Sequence, residues 1–273
     1  MKPPIGRDTT LCMSLAARPG NFGSRFHNRL YELLGLDYVY KAFATADLAG
    51  AIGGVRALGV RGCAVSMPFK EAVIPLLDGL DPPATAIGSV NTIVNDGGRL
   101  TGYNTDHLAV RLLLERTGLP PGTRFLLRGS GGMAKAAAAA LRGLGFRDGC
   151  IVARNEVTGP ALAAAHGYGW QAEPGELEAG LLVNATPLGM TGPQAQALAF
   201  PETCIRACDT AFDVVAMPPE TPFLARARAW GKRLVSGADV IVLQAVEQFV
   251  LYTGVRPDET QVAAAAAFAR AAG

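Results

Sequence analysis

The sequence predicts an α/β fold made of two successive βαβ series. Three observations lead there. Short apolar runs alternate with segments whose apolar residues recur at helical spacing. A glycine-rich turn, "GSGGMA" at 129–134, joins one such run to a long helical segment. Between the two series, "LPPGT" at 119–123 breaks the pattern and is a candidate domain junction.

In order along the chain, "LCMSLA" (11–16) reads as a strand. "FHNRLYELLGL" (26–36) reads as an amphipathic helix with Phe26, Leu30, Leu33 and Leu34 on one face and Gly35 as its stop. "YVYKAF" (38–43) is a strand, and "DLAGAIGGVRALG" (47–59) is a helix capped by Asp47 and closed by a glycine. "RGCAVS" (61–66) is the next strand, so this first series points to a largely parallel sheet. "NTIVN", Asp96-Gly97-Gly98 and "RLTGYN" together spell a hairpin. A long helix, "HLAVRLLLERTG", follows Asp106. The second series holds strands at 124–128, 149–154, 180–186, 210–215 and 232–237, with a helix over Met133–Leu144. Two helices close the chain, "ADVIVLQAVEQFVLYTG" and "TQVAAAAAFARAAG".

Composition narrows the function. Hydrophobic residues are 49% and charged residues 18% of the chain, a globular balance. A net charge of +2, with both signs spread along the sequence, offers no electrostatic case for nucleic acid or an anionic membrane. The opening "MKPPIGRDTTLCMSLAARPG" carries no apolar core of a signal peptide, and no apolar run is long enough to span a bilayer. The expectation is a soluble, cytoplasmic protein. Cys12, Cys63 and Cys150 lie in apolar runs and read as buried thiols. Cys204 and Cys208 lack a second pair or a histidine cluster, so no metal is expected. His27, His107 and His166 stand alone and read as structural, and Met67, Met190 and Met217 read as pocket or core packing.

The glycine turn carries chemistry. Gly129, Gly131 and Ala134 fit G-x-G-x-x-G/A between a strand and a helix. The first glycine permits the tight turn, the second lets backbone approach a pyrophosphate, and the third small residue lets helix pack on strand. This predicts a Rossmann-like dinucleotide-binding module. Enzymes that use NAD place an acid at the end of the next strand to hold the ribose hydroxyls. Here "IVARNEVTG" puts Arg154 and Asn155 there, and an arginine suits the 2′-phosphate of NADP.

"SMPFK" ends the strand at 61–66 with a lysine, where open α/β sheets place ligands. A separate domain ahead of the Rossmann-like module predicts a cleft between the two, with substrate in the first facing the nicotinamide. Asp106 closes "YNTD" and opens a helix. A lysine beside an aspartate can hold or pass a proton, as alcohol oxidation requires. Asn91 in "SVNT" joins Lys70 and Asp106 as a candidate.

The pieces "HN" (27–28), "VSMPFK" (65–70), "SVNTIV" (89–94), "GYNTD" (102–106), "GSGGMAKA" (129–136), "NATPLGM" (184–190), "TPFL" (221–224) and "VLQAVEQF" (242–249) occur in one order and spacing. In these the chain resembles the shikimate dehydrogenase family over nearly its whole length. The resemblance implies NADP-linked interconversion of 3-dehydroshikimate and shikimate, with Lys70 and Asp106 as the catalytic pair. It implies substrate contacts from Ser66, where a threonine is usual, and from Asn91 and Gln244. It implies cofactor contacts from Gly129, Ser130, Gly131, Gly132, Met133, Ala134, Arg154, Asn155, Thr186, Val214 and Gly237. It also implies a substrate domain of residues 1–106 and 239–273, with the C-terminal helices returning to the first domain, and an NADP-binding domain of residues 107–238. The partner is then a small cyclic hydroxy-carboxylate, and the protein a monomer or homodimer.

The departures are local. The family's Ser-x-Ser carboxylate clamp falls at 21 and 23, where this chain has Asn21 and Gly23, with Ser24 beside them. Ala216 replaces a tyrosine and Asn155 a threonine. Such a chain resembles the divergent, shikimate dehydrogenase-like subgroup. The altered clamp bears on substrate identity and efficiency, and it admits quinate or an amino-shikimate as alternative substrates. A cofactor-binding regulatory protein is the reading from a different class. Retention of both Lys70 and Asp106 argues against it, since a binder has no need of the pair.

Overall fold

The computed structural model describes residues 2–175 and 177–271. The elements run β1 (Thr10–Ala16), α1 (Phe22–Leu34), β2 (Tyr38–Ala44), α2 (Leu48–Ala57), β3 (Gly62–Val65), α3 (Phe69–Ala72), β4 (Gly79–Leu80), α4 (Pro82–Ile87), β5 (Thr92–Asp96) and β6 (Arg99–Tyr103). Then come α5 (Thr105–Thr117), β7 (Phe125–Arg128), α6 (Gly132–Gly143), β8 (Gly149–Val152), α7 (Thr158–His166), β9 (Gly169–Gln171), β10 (Leu181–Asn184), α8 (Glu202–Ala207), β11 (Thr210–Asp213), α9 (Pro222–Ala229), β12 (Arg233–Val235), α10 (Gly237–Thr253) and α11 (Glu259–Arg270). The chain divides into two compact units, Met1–Thr105 with Val242–Gly273, and Asp106–Ile241. "LPPGT" therefore lies inside the second unit, between α5 and β7, and the division falls earlier.

The first unit is built on a six-stranded sheet of order β2-β1-β3-β5-β6-β4. It is rich in parallel pairs, as the first series predicts, with one strand set against its neighbours. β1 runs parallel to β2 and β3, but β5 is antiparallel to β3 and to β6. The cause is the hairpin. Gly97 and Gly98 both take positive φ (59° and 93°), as a two-residue turn matched to strand twist requires, and the turn makes the two strands antiparallel.

Adjacent strand residues face opposite sides of a sheet. Cys12 accordingly joins a core with Phe26, Leu30 and Tyr31 of α1, Phe249 and Tyr252 of α10, and Ala265 and Ala266 of α11. Met13 joins a second core with Ile52 and Val55 of α2. The C-terminal helices thus belong to the first unit's packing. Helix α1 begins at Phe22, before the expected start, and Gly35 ends it in the left-handed region (φ 66°). Its buried face is Phe26, His27, Leu30 and Tyr31; Leu33 is exposed.

The second unit carries a six-stranded, all-parallel sheet of order β12-β11-β10-β7-β8-β9. Counted within the unit and read from the β9 edge, that is third-second-first-fourth-fifth-sixth, the dinucleotide-binding strand order. The alanines of α6 explain its close seat on the sheet: Ala134, Ala136, Ala137, Ala138 and Ala140 are all buried. In this unit helices α7, α8 and α9 and strand β9 fall outside the sequence reading. For α9 a signal was present: Thr221 caps it, accepting from the Leu224 N–H at 3.3 Å, and Pro222 stands at its first position.

All five cysteines are free; Cys150 is half-buried and the others are buried. Met67, Met190 and Met217 are exposed, so none is core packing. Among the described residues no helix is long and apolar enough to cross a membrane, and no cluster of three His, Cys, Asp or Glu is placed to hold a metal ion.

Candidate active site

The strand order reverses between β7 and β10, and the glycine turn leaves β7 there. Gly129 has φ +124°, and a Cβ on it would sit 2.8 Å from the Ala185 carbonyl oxygen, so only glycine fits. Its N–H donates to Val152 O at 2.9 Å, tying the turn to the end of β8. Gly131 is the exposed N-cap of α6, with no atom within 4 Å of a would-be Cβ. Backbone there stands open, with the N–H groups of Gly132, Met133 and Ala134 opening the helix behind it. Ala134 itself is fully buried against the sheet.

At the end of β8, Arg154 and Asn155 are both exposed. The Asn155 Oδ1 accepts from the N–H groups of Val157 (3.0 Å) and Thr158 (2.9 Å), so its side chain caps α7. Arg154 forms no ion pair among the described residues. Ser130, inside the glycine turn, shares a 2.7 Å hydroxyl–hydroxyl hydrogen bond with Thr158.

Beyond β10, the Thr186 hydroxyl donates to Asn184 Oδ1 at 2.6 Å, and Val214 N–H donates to the Asn184 carbonyl at 3.0 Å. Sequence reasoning missed the group behind them. Asp213 is fully buried and accepts from the Thr221 hydroxyl (2.6 Å), the Asn184 amide (2.9 Å) and the Val215 N–H (3.0 Å). Burial pushes its carboxyl up to about 6, against the pull of those donors. It holds the C-terminal ends of β10 and β11 together. Two residues far apart in sequence gave no local sign of this. Gly237 opens α10 where a Cβ would lie 2.3 Å from Val215 O and 2.4 Å from Val214 O. Gly237→Ala must displace that backbone. We expect a loss of about 1–3 kcal/mol by overpacking, read as a lower Tm; an unchanged Tm would show that the segment yields freely.

In the first unit, Ser66 is exposed past the end of β3, with its N–H donating to Leu15 O at 2.9 Å. Lys70 is half-buried in α3, and its carbonyl accepts from the Val90 N–H at 2.8 Å. Asn91 is buried. Its amide donates to the Thr105 hydroxyl at 3.0 Å while its Oδ1 accepts the Thr105 N–H at 2.8 Å. It thereby grips the chain one residue before Asp106, which is buried in the first turn of α5. Gln248, also missed, reaches into the same network and donates to the Thr92 hydroxyl at 3.1 Å. Gln244 lies one helical turn earlier on α10 and is half-buried.

The clamp region is helix, not loop. Asn21 is the exposed N-cap of α1, and its side chain makes no capping bond. Gly23 stands in the first turn, with the Tyr40 hydroxyl 3.5 Å from where its Cβ would be, ordinary contact that leaves room for a side chain. The Ser24 hydroxyl accepts the Ala42 N–H at 3.1 Å, and Asn28 both donates to Tyr40 O (2.7 Å) and accepts from Tyr40 N (3.0 Å). Together they satisfy the outer edge of β2, an edge strand whose backbone would otherwise lack partners.

The shikimate dehydrogenase substrate binding domain matches residues 22–93. A shikimate dehydrogenase-like protein of Haemophilus influenzae is 55% identical over 97% of this chain and 98% of its own length. A shikimate dehydrogenase (NADP(+)) of Moorella thermoacetica is 41% identical over 84% of this chain and 82% of its own. The crystal structure of shikimate 5-dehydrogenase from Thermus thermophilus, in complex with NADP(H) and shikimate, is 33% identical with a TM-score of 0.82, covering 95% of this chain and 99% of that one. With identity this high across nearly its full length, and a parallel sheet whose strand order and glycine turn agree, the chain belongs to the shikimate dehydrogenase family.

Proposed function

We propose that this protein is an NADP-dependent oxidoreductase that reversibly reduces the ring ketone of a cyclic hydroxy-carboxylate, 3-dehydroshikimate or a close analogue. What carries the reading is the retention of Lys70 and Asp106 in a member of this family whose Gly129 turn has dinucleotide-binding geometry. The residues present fit the cofactor: an enforced glycine at 129, open backbone at Gly131, the N-terminus of α6, and an exposed arginine at 154. Residues 107–238 would hold it, with Gly129 to Ala134, Arg154, Asn155, Thr186, Val214 and Gly237 as its contacts. When bound, NADP supplies or accepts the hydride. Residues 1–106 and 239–273 would hold the substrate through Ser66, Asn91 and Gln244. Lys70 gives a proton to the ring oxygen during reduction and takes it back during oxidation, with Asp106 as the second proton-handling group. Asn91 positions the start of α5 and so the Asp106 carboxylate.

The substrate carboxylate meets a thinner set of donors here. Asn21 retains an NH2 that nothing in the cap uses, and Ser24 keeps its hydroxyl proton, since only its oxygen is engaged by Ala42. Losing about one hydrogen bond to a charged group costs on the order of 1.5–3 kcal/mol. We therefore expect shikimate to be turned over with kcat/KM about one to two orders of magnitude below that of a biosynthetic dehydrogenase. Steady-state assays of shikimate, quinate and amino-shikimate, each with NADP and NAD, test this. Full efficiency on shikimate removes the clamp argument, a quinate optimum selects the alternative substrate, and no turnover of any acid selects a cofactor-binding regulatory protein.

A further inference from the structure

Resting on the NADP reading, we propose that Asp213 is a positioning residue for the nicotinamide half of the cofactor, acting through the two loops that leave β10 and β11. Its carboxylate is the hub of a closed set of bonds. β10 and β11 end in register, with Asn184 beside Asp213. Asp213 Oδ1 accepts the Asn184 amide at 2.9 Å and the Val215 N–H at 3.0 Å, and Oδ2 accepts the Thr221 hydroxyl at 2.6 Å. The Asn184 amide also donates to the Leu188 carbonyl at 3.1 Å, and its Oδ1 accepts both the N–H (3.1 Å) and the hydroxyl (2.6 Å) of Thr186. The loop at 185–191 is thus fixed at Thr186 and Leu188, and the loop at 214–221 at Val215 and Thr221. Farther out the Thr191 N–H donates to Met217 O at 3.0 Å and joins the two.

Asn184, Asp213 and Thr221 are all fully buried, and the three donors to Asp213 are neutral. A buried charge held only by neutral donors is a costly way to join two strands. What it gives is acceptor capacity. An ionised carboxylate takes all three bonds on two oxygens, whereas an amide offers one oxygen. The sheet order says which half of a dinucleotide the loops meet. β8, with Arg154 beyond its end, lies on one side of β7 and the glycine turn, and β10 and β11 lie on the other. A dinucleotide with its pyrophosphate on the turn and its 2′-phosphate at Arg154 therefore turns its nicotinamide half to the ends of β10 and β11. The bonds of Asp213 set the shape those two loops present to it.

Calorimetry on the full chain with NADP and with 2′,5′-ADP, which lacks the nicotinamide half, tests this without turnover. At pH 7.5 the carboxyl, raised by burial to about 6, is ionised. Asp213→Asn keeps the shape but sets an NH2 before the Thr221 hydroxyl. It is expected to weaken NADP about fivefold and to leave 2′,5′-ADP within about twofold. Thr221→Val removes the hydroxyl from the other side and should do the same. Thr221→Ser keeps the hydroxyl and should hold NADP within about twofold of the unmodified protein. If Asp213→Asn does not fold, the Thr221 pair answers the same question. Unchanged NADP affinity in Asp213→Asn or in Thr221→Val overturns the inference while the cofactor reading stands. Equal losses for NADP and 2′,5′-ADP also overturn it, because Asp213 then only braces the unit. If the unmodified protein binds neither nucleotide, the NADP reading itself fails, and the inference with it.

Discussion

Lys70→Ala is expected to lower kcat by about 10²–10⁴-fold, the usual contribution of a positioned proton donor, while NADP affinity measured by calorimetry changes less than about twofold. The separation follows from where the residue sits. Lys70 belongs to the first unit, and the glycine turn and Arg154 belong to the second. Alanine suits the short α3, and the hydrogen bond from the Val90 N–H runs to the Lys70 carbonyl, which the substitution keeps. Lys70→Arg is a sharper variant. It preserves the positive charge, but a guanidinium does not give up its proton in proteins, so turnover should stay low. A loss of NADP affinity that tracks the loss of rate would make Lys70 a cofactor or folding residue. A kcat within a few-fold of the unmodified protein would remove it from the chemistry.

The second large effect is on stability in acid, and it centres on His27. The ring is fully buried and stacked on Tyr40 at 4.4 Å with an interplanar angle of 7°. Neither nitrogen has a hydrogen-bond partner among the described residues. Burial pushes its pKa down to about 3 from an ordinary 6.5, with the nearby Gln248 side chain pulling the other way. The unfolded chain therefore takes up a proton below about pH 6.5, and the folded chain does not until about pH 3. Stability from this group is complete above pH 6.5 and is lost as pH falls toward 3, at about 1.4 kcal/mol per pH unit, on the order of 4–5 kcal/mol in all. Asp213 works the other way. Its carboxyl, raised to about 6 by burial, binds its proton earlier in the folded state, so its contribution is present at low pH and is lost as pH rises through 6. The two oppose each other between about pH 6 and 4, so the readout is a difference between variants. Urea unfolding of the unmodified protein and of His27→Phe, from pH 7.5 to 3.5, should show the Phe variant gaining on the unmodified protein steadily below pH 6.5. His27→Gln serves if the phenyl ring does not pack. Parallel curves across that range would show that His27 finds a proton acceptor in the folded state.

Some parts of the fold and the site were legible in the sequence, and particular residues show why. The glycine turn could be read because its letters answer to local rules: a positive φ at 129, open backbone at 131 and a small residue at 134 are needs of one short segment. The same holds for the hairpin at Gly97-Gly98 and for the stop at Gly35. Helix α7 and strand β9 escaped because "TGPALAAAH" lacks apolar periodicity and three residues are too few to show alternation.

What the sequence by itself determined was the α/β class, the parallel second series and the dinucleotide turn, since each depends on the spacing of neighbours along the chain. What only the tertiary structure decided was how the candidate residues are held. Asn91 is locked onto Thr105 rather than left open, Ser24 is engaged with the edge of β2, Asn155 caps a helix, and Asp213 gathers Asn184 and Thr221. That β5 pairs antiparallel with β3 was decided by which strands meet in space, not by the apolar pattern of either. Hydrogen-bond partners distant in sequence leave no periodic trace, because a donor and an acceptor need only meet in space, and only folding brings them within about 3 Å.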